Sequence, residues 1–531
     1  MEQLSAQDAQ FLYMEDADIV ANITGAYILD QSTAPDGIVR FRDIIDKIEE
    51  RFSKSKLFRR KLMRVPMEMD YPYWVDDPYF DIEHHVHHAR LPEPADWRQF
   101  CIHFARYHSR PLDLGRPLWE IYIVEGLDNI EGVPKGSFAM IIKVHHAAVD
   151  GTAGIQLLGA LMDLAPNGPP AFRYPDDIER QPTATLPPMA SMLARASWNN
   201  FRSPYRFADA ARRQSPQIAR AMAEFGRARM TRKKSTAPKT IFNGKISPHK
   251  SFDAMEVGLD EVKLIRKAFP EAKVNDVVLA TVGGGLRKYL QSKNALPKES
   301  LIAVAPINAR AQAGSGIDKD AKGNHVSAMT TPIHTQIEHP VERLKAIVQS
   351  TRRSKAAKDG VGARVMTDLS QYAPAAMMAV GARVAARAIA SSEPMQNLFV
   401  SNVPGPQTPL YFCGAKMLSM YGMAPVNDGM GLFIATPSYN GKITFGVTST
   451  RQIIPDTPFF INCLKMAFAE LKAAAVKRLE AGDVATPKRK PRKTAKAQRK
   501  PSSTKAEKKK KKKKPKKKKP ASTANGSTQA S

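Results

Sequence analysis

Lys143-Val144-His145-His146-Ala147-Ala148-Val149-Asp150-Gly151-Thr152 is the stretch on which the reading of this chain turns. It follows Ser137-Phe138-Ala139-Met140-Ile141-Ile142, an apolar run of bulky and β-branched side chains that predicts a buried strand. After Gly151 the pattern becomes helical, with Ile155, Leu157, Leu158, Leu161 and Met162 at three-to-four spacing. The two histidines are therefore expected where a strand ends and a helix begins, a junction that presents side chains on a rigid base.

A neutral imidazole is the usual general base near pH 7, because its unperturbed pKa is about 6.5. Neighbours in an extended segment point to opposite sides, so only one of His145 and His146 can face a given pocket. Asp150, four residues after His146, can return to brace the loop, either on backbone N–H groups or on an arginine elsewhere. Gly151 permits a positive φ or a close approach at the turn. A lone histidine at a strand end is more often structural than catalytic. An adjacent pair followed by Asp-Gly after a buried strand is much less common by chance.

His-His-x-x-x-Asp-Gly resembles the signature of the CoA-dependent acyltransferase superfamily. That group includes chloramphenicol acetyltransferase-like enzymes, peptide-synthetase condensation domains and bacterial wax ester synthase/diacylglycerol acyltransferases. Blocks on either side resemble the last of these. Upstream stand Leu4-Ser5-x-x-Asp8-x-x-Phe11-Leu12-x-x-Glu15, Leu57-Phe58-Arg59-Arg60-Lys61-Leu62, Tyr73-Trp74-Val75-Asp76-Asp77-Pro78-Tyr79-Phe80-Asp81 and Pro111-Leu112-Asp113-x-x-x-Pro117-Leu118-Trp119. Downstream stand Val274-Asn275-Asp276-Val277-Val278-Leu279-Ala280, Gly323-Asn324-His325-Val326-Ser327-Ala328-Met329 and Ser401-Asn402-Val403-Pro404-Gly405-Pro406.

The resemblance implies an α/β, two-lobed chloramphenicol acetyltransferase-like fold: mixed sheets flanked by helices, with an active-site tunnel between the lobes. It implies transfer of a fatty acyl group from acyl-CoA to diacylglycerol, giving triacylglycerol, and/or to a long-chain alcohol, giving a wax ester. His146 would be the general base, in a catalytic set with His145, Asp150, Gly151 and Asn275. Asp276, Arg310, Trp119, Ser401 and Asn402 would bind substrate or shape the site nearby. Acyl-CoA is a co-substrate, and no cofactor or metal is expected. From the residues themselves, Asn275-Asp276 read as a helix N-terminus, where short polar side chains cap free N–H groups. Trp119 reads as packing at the start of a core strand rather than as a substrate contact.

Further from the motif the chain divides into a first lobe over 1–187, a basic and partly helical linker over 188–248, a second lobe over 249–482 and a disordered tail over 483–531. The linker places Met192, Leu193, Phe201, Phe207, Ile218, Met222 and Phe225 among many arginines, as either a solvated helix or one lying on an anionic membrane. His84, Val86 and His88 are expected on one face of a half-exposed strand and His85 and His87 on the other, without a metal. Gly283-Gly284-Gly285 lack a following Gly-Lys-Ser/Thr and sit inside a helical pattern, so close helix packing is expected rather than a phosphate loop.

Net charge is +29, but the segment from Pro487 onward holds 20 Lys and Arg against the single Glu507, so 19 of those charges lie in the tail. Such a composition cannot bury a core, and its expected partners are polyanions or anionic lipid. Three scattered cysteines and the lack of a signal-like N-terminus or a long apolar run point to a reduced, cytoplasmic protein, peripherally associated with a membrane or lipid inclusion. Two other readings stay open: a condensation-type or other acyl-CoA-dependent enzyme with a different acceptor, and a non-catalytic polyanion- or granule-binding protein acting through the tail.

Overall fold

The structure is a computed structural model that describes residues 2–52, 55, 58–149, 151–172, 188–231, 237–308, 326–356, 375, 377–381 and 393–482. The expected strand is present as Phe138–His145, and all eight of its residues are buried. It pairs antiparallel with Asn22–Asp30 on one side and with Trp119–Glu125 on the other. A strand covered on both faces needs apolar side chains in both registers, which accounts for the unbroken run Phe138 to Ile142. Met140, Ile142 and Val144 join the core beneath the helices Phe41–Phe52 and Gly151–Leu161. Ala139 and Ile141 join the core against the helix Trp97–Ser109. Fully burying one large aliphatic side chain stabilises by about 1.5–3 kcal/mol, so this strand anchors the first half of the molecule.

The first six-stranded sheet runs, in order, Tyr411–Phe412, Ala415–Met423, Asn22–Asp30, Phe138–His145, Trp119–Glu125 and Val86–Arg90. Its last pair is parallel, and the others are antiparallel. The second runs Val326–Pro332, Ile302–Asn308, Leu398–Pro404, Phe433–Tyr439, Lys442–Thr450 and Lys250–Gly258, with Leu398–Pro404 parallel to both neighbours. Helices Leu259–Ala268, Val274–Ser292 and Thr457–Glu480 pack on it. The fold is thus α/β with two mixed sheets flanked by helices, and all described residues fall in one compact unit.

The two halves are stitched together by chain exchange. Tyr411–Phe412 and Ala415–Met423 come from the second half in sequence yet belong to the first sheet, where Met423 pairs with Thr24. In return, Phe252 of the second sheet packs in the core of the helix Trp97–Ser109, and Asp253 accepts a hydrogen bond from the Trp97 indole at 2.8 Å.

Two local features follow from the sequence. Asn440 and Gly441 both take positive φ and join Phe433–Tyr439 to Lys442–Thr450, the geometry of a two-residue hairpin turn. A side chain at Gly284 or Gly285 would collide with Ala467 or Leu464 of the last helix, so the glycine run is a packing surface. One expectation needs correction. The strand begins at Val86, not His84: His84 lies in the short turn Ile82–His84, while His85 is buried and its Nδ1 lies 2.8 Å from the Trp119 carbonyl. The helix Val274–Ser292 does begin at the Asn275-Asp276 pair, and Asp276 supplies the expected cap by accepting the Lys273 N–H at 2.8 Å.

No helix among the described residues is long and apolar enough to cross a membrane. The tail 483–531 lies outside the described residues.

Candidate active site

His145 and His146 sit where the central strand ends, as the sequence implies, but their surroundings differ sharply. His145 is the last strand residue and continues the alternation of Ala139, Ile141 and Lys143 toward the helix Trp97–Ser109. It is 0% exposed. Its backbone N–H donates to the Leu118 carbonyl at 3.0 Å, so the Pro117-Leu118-Trp119 segment holds the strand end in place. Its Nδ1 accepts the Ala147 N–H at 3.0 Å, so Nδ1 has no proton and Nε2 carries it in the neutral ring. That Nε2 lies 3.3 Å from Glu15 Oε1, close enough for electrostatic attraction although not aligned as a hydrogen bond. The one lone pair of the neutral His145 ring is therefore occupied.

His146 is half-buried. Its backbone N–H donates to the Ala21 carbonyl at 2.8 Å. Its ring lies on that of Phe11, with centroids 3.9 Å apart and planes 10° from parallel. The N-terminal helix Ala6–Met14 supplies Phe11, and Glu15 follows directly as its C-cap. Glu15 Oε1 also accepts the Ala21 N–H at 2.8 Å. Ala21 thus links the two histidines: its N–H is held by the carboxylate that faces His145, and its carbonyl holds His146. Around this point lies an apolar cluster with Leu12, Leu62, Leu118, Ala147, Ala375 and Ala379. A cavity of about 270 Å³ opens beside it, lined in part by Leu12, Tyr13, Glu15, Arg64 and Leu114.

Beneath the strand end is a buried polar seam. Asn22 Nδ2 donates to the carbonyls of His108 and Arg110, and Thr24 Oγ1 lies 2.9 Å from His108 Nδ1. Burial, with Lys250 and Lys143 nearby, pushes the His108 pKa down to about 3. Lys143, itself fully buried, pairs with Glu120 at 2.6 Å. Burial lowers the Lys143 pKa against the pull of Glu120.

The other expected residues divide. Trp119 is core: its indole donates to the Phe58 carbonyl at 3.0 Å, meets Phe52 and Phe58 edge-on and stacks on His85. Asp276 is buried, with one oxygen accepting the Lys273 N–H and the other the Thr351 hydroxyl, both at 2.8 Å. Its carboxylate braces the helix start. Asn275 is half-buried beside it, and Ser401 and Asn402 are half-buried on Leu398–Pro404. No hydrogen bond among the described residues joins Asn275, Ser401 or Asn402 to the histidines. Gly151, the last residue of the motif, opens the helix Gly151–Leu161. Asp150 and Arg310 lie outside the described residues. Sequence reasoning placed Phe11 and Glu15 in a recognised block without a role. Their contacts, more than 120 positions away in sequence, supply one.

The family model of the wax ester synthase/diacylglycerol acyltransferase catalytic domain matches residues 4–278, and that of the family's C-terminal domain matches residues 322–472. A Mycobacterium tuberculosis protein provisionally named a diacylglycerol O-acyltransferase is 31% identical over 459 residues, 86% of this chain and 87% of its own length. The solved wax ester synthase/diacylglycerol acyltransferase from Marinobacter aquaeolei VT8 superposes with a TM-score of 0.61 at 24% identity, covering 89% of this chain and all of that one. The starter condensation domain of rhizomide synthetase, solved with C8-CoA and Leu-SNAC, gives a TM-score of 0.51 at 9% identity, covering 90% of this chain and 94% of its own. Both structural likenesses speak for the two-lobed chloramphenicol acetyltransferase-like fold.

Proposed function

The chain belongs to the wax ester synthase/diacylglycerol acyltransferase family of acyltransferases, and on that premise we propose that it moves a fatty acyl group from acyl-CoA to the hydroxyl of diacylglycerol and/or a long-chain alcohol, with His146 as the general base. One observation carries the assignment within the pair. His145 is sealed, with its Nδ1 lone pair held by Ala147 and its Nε2–H turned to Glu15, whereas His146 stays half-buried at the edge of an apolar cluster.

In the proposed reaction the acceptor hydroxyl gives its proton to His146 as its oxygen attacks the thioester carbonyl carbon. The tetrahedral oxyanion that forms needs a hydrogen-bond donor. Asn275, or a backbone N–H at the start of the helix Gly151–Leu161, takes that place in this account. Collapse breaks the carbon–sulfur bond, and His146 returns the proton to the departing thiolate, leaving an ester and free CoA. Asp150 is assigned to bracing the loop rather than to proton transfer, with an arginine such as Arg310 as its expected partner. Acyl-CoA is the only co-substrate required, and no cofactor or metal takes part. The protein works in the cytoplasm at a membrane or lipid-inclusion surface, with the Lys-rich tail as a separate polyanion-binding element.

The test is purified protein with palmitoyl-CoA and parallel offers of dioleoylglycerol and hexadecanol, with lipid products separated by polarity and CoA release measured. Triacylglycerol or wax ester, matched by CoA, supports the proposal. No ester with either acceptor, together with consumption of a carrier-bound acyl donor, would move the chain to condensation-type chemistry.

A further inference from the structure

The helix Met189–Thr231 begins with one face already packed. Met192 and Ala196 are buried in a cluster with Val65, Tyr73 and Val75. Asn199 donates to Asp70 and Asn200 to the Met69 carbonyl, each at 2.7 Å. At 3.6 residues per turn, positions 192, 196, 199 and 203 share that side, and positions 194, 198, 201 and 205 share the opposite one. That opposite side should be polar in a helix that ends in water. Here it carries Trp198, Phe201 and Tyr205, exposed by 55%, 65% and 72%. The rings form a continuous strip, with centroids 6.2 Å apart from Trp198 to Phe201 and 6.3 Å from Phe201 to Tyr205. Arg195 and Arg202 flank it and are exposed, and the Arg202 guanidinium lies 4.7 Å over the Trp198 ring. Asp209, the one acid in this part of the helix, is paired with Arg213 at 2.7 Å.

We propose that this strip docks the protein onto an anionic phospholipid bilayer, with Trp198, Phe201 and Tyr205 entering the headgroup zone and Arg195 and Arg202 on lipid phosphates. Three side chains with flat apolar bodies, two of them with polar tips, beside arginines that make no ion pair among the described residues match an interfacial helix. A second copy of this face is a poor partner, because a two-fold contact would set arginine against arginine. The choice of lipid over another polyanion rests on the acyl-transfer reading, whose acceptors do not dissolve in water and must be met at a surface.

The test uses the full chain and vesicles of phosphatidylcholine with and without phosphatidylglycerol, at salt high enough to screen the lysine tail. Trp198→Phe identifies the Trp198 signal among the four tryptophans. Brominated acyl chains are expected to quench Trp198 in the bound wild type, with a blue shift. Replacing Trp198, Phe201 and Tyr205 together by serine is expected to weaken partitioning roughly tenfold or more. All three side chains are exposed, so the fold should persist, as circular dichroism checks. The triple variant should keep the wild-type rate on a water-soluble short-chain alcohol while losing rate on vesicle-borne diacylglycerol. Unchanged partitioning, absence of Trp198 quenching in vesicle-bound protein, or loss of a vesicle-free dimer in the triple variant would each overturn the proposal. A wild type inactive on every acceptor would instead sink the acyl-transfer reading, and the quenching result would still decide the docking surface.

Discussion

The His146 imidazole lies flat against the Phe11 ring, 3.9 Å between centroids and 10° from parallel. The residue assigned the proton transfer is thus held by a side chain from the first helix of the chain. Phe11→Ala should leave the fold intact but free the ring to rotate, lowering kcat by about tenfold through loss of alignment. Phe11→Tyr should keep most of the rate. Equal kcat for wild type and Phe11→Ala would show that the stack has no role in positioning.

Glu15 separates charge from scaffolding. Glu15→Gln keeps an oxygen for the Ala21 N–H and removes the negative charge that faces His145 Nε2. It should reduce kcat several-fold with thermal stability near wild type. Glu15→Ala also removes the acceptor and should lose a further 1–3 kcal/mol or so of stability, the usual penalty for a buried unsatisfied donor. Measuring kcat and unfolding free energy on both variants checks this. Identical behaviour of Gln and Ala would contradict it.

His108 is a buried neutral histidine whose pKa is pushed down to about 3. Between about pH 6.5 and that value the unfolded chain binds a proton that the folded one does not. Its contribution is therefore fully present above pH 6.5 and is lost as pH falls. From pH 7 to pH 5 the loss is about 2 kcal/mol from this residue. Urea unfolding at the two pH values should show that drop, and His108→Gln should flatten it. An equally steep slope in the variant would remove His108 as its source.

Trp119 was expected either to pack or to touch substrate, and its contacts favour packing. Trp119→Ala should destabilise by about 3–5 kcal/mol, while the fraction that remains folded keeps its KM for acyl-CoA and for acceptor. A raised KM in a fully folded variant would restore a substrate contact.

The motif strand and the turn after it were legible because the apolar run is long and ends on charged and polar residues at once. The glycine run 283–285 was legible as a packing surface because it sits inside a helical pattern, and Gly284 and Gly285 do lie against Ala467 and Leu464. Asn22–Asp30 and Ala415–Met423 were not legible, although they complete one side of the motif strand. The first breaks its apolar residues with Asn22, Thr24 and Gly25, and the second relies on methionines, which carry little strand preference. Their pairing joins residues almost 400 apart, and no local pattern encodes it. The same holds at the site. The His-His pair was visible, but which ring was sealed depended on Glu15, Ala21 and Leu118, brought together only by folding.

The role of the His146 ring is tested by the initial rate of CoA release from palmitoyl-CoA with dioleoylglycerol for His146→Ala against wild type, with the fold verified by circular dichroism and thermal unfolding. A folded variant whose rate falls by about 10²–10⁴ is expected. A folded variant working within roughly threefold of wild type, well short of that loss, would contradict it.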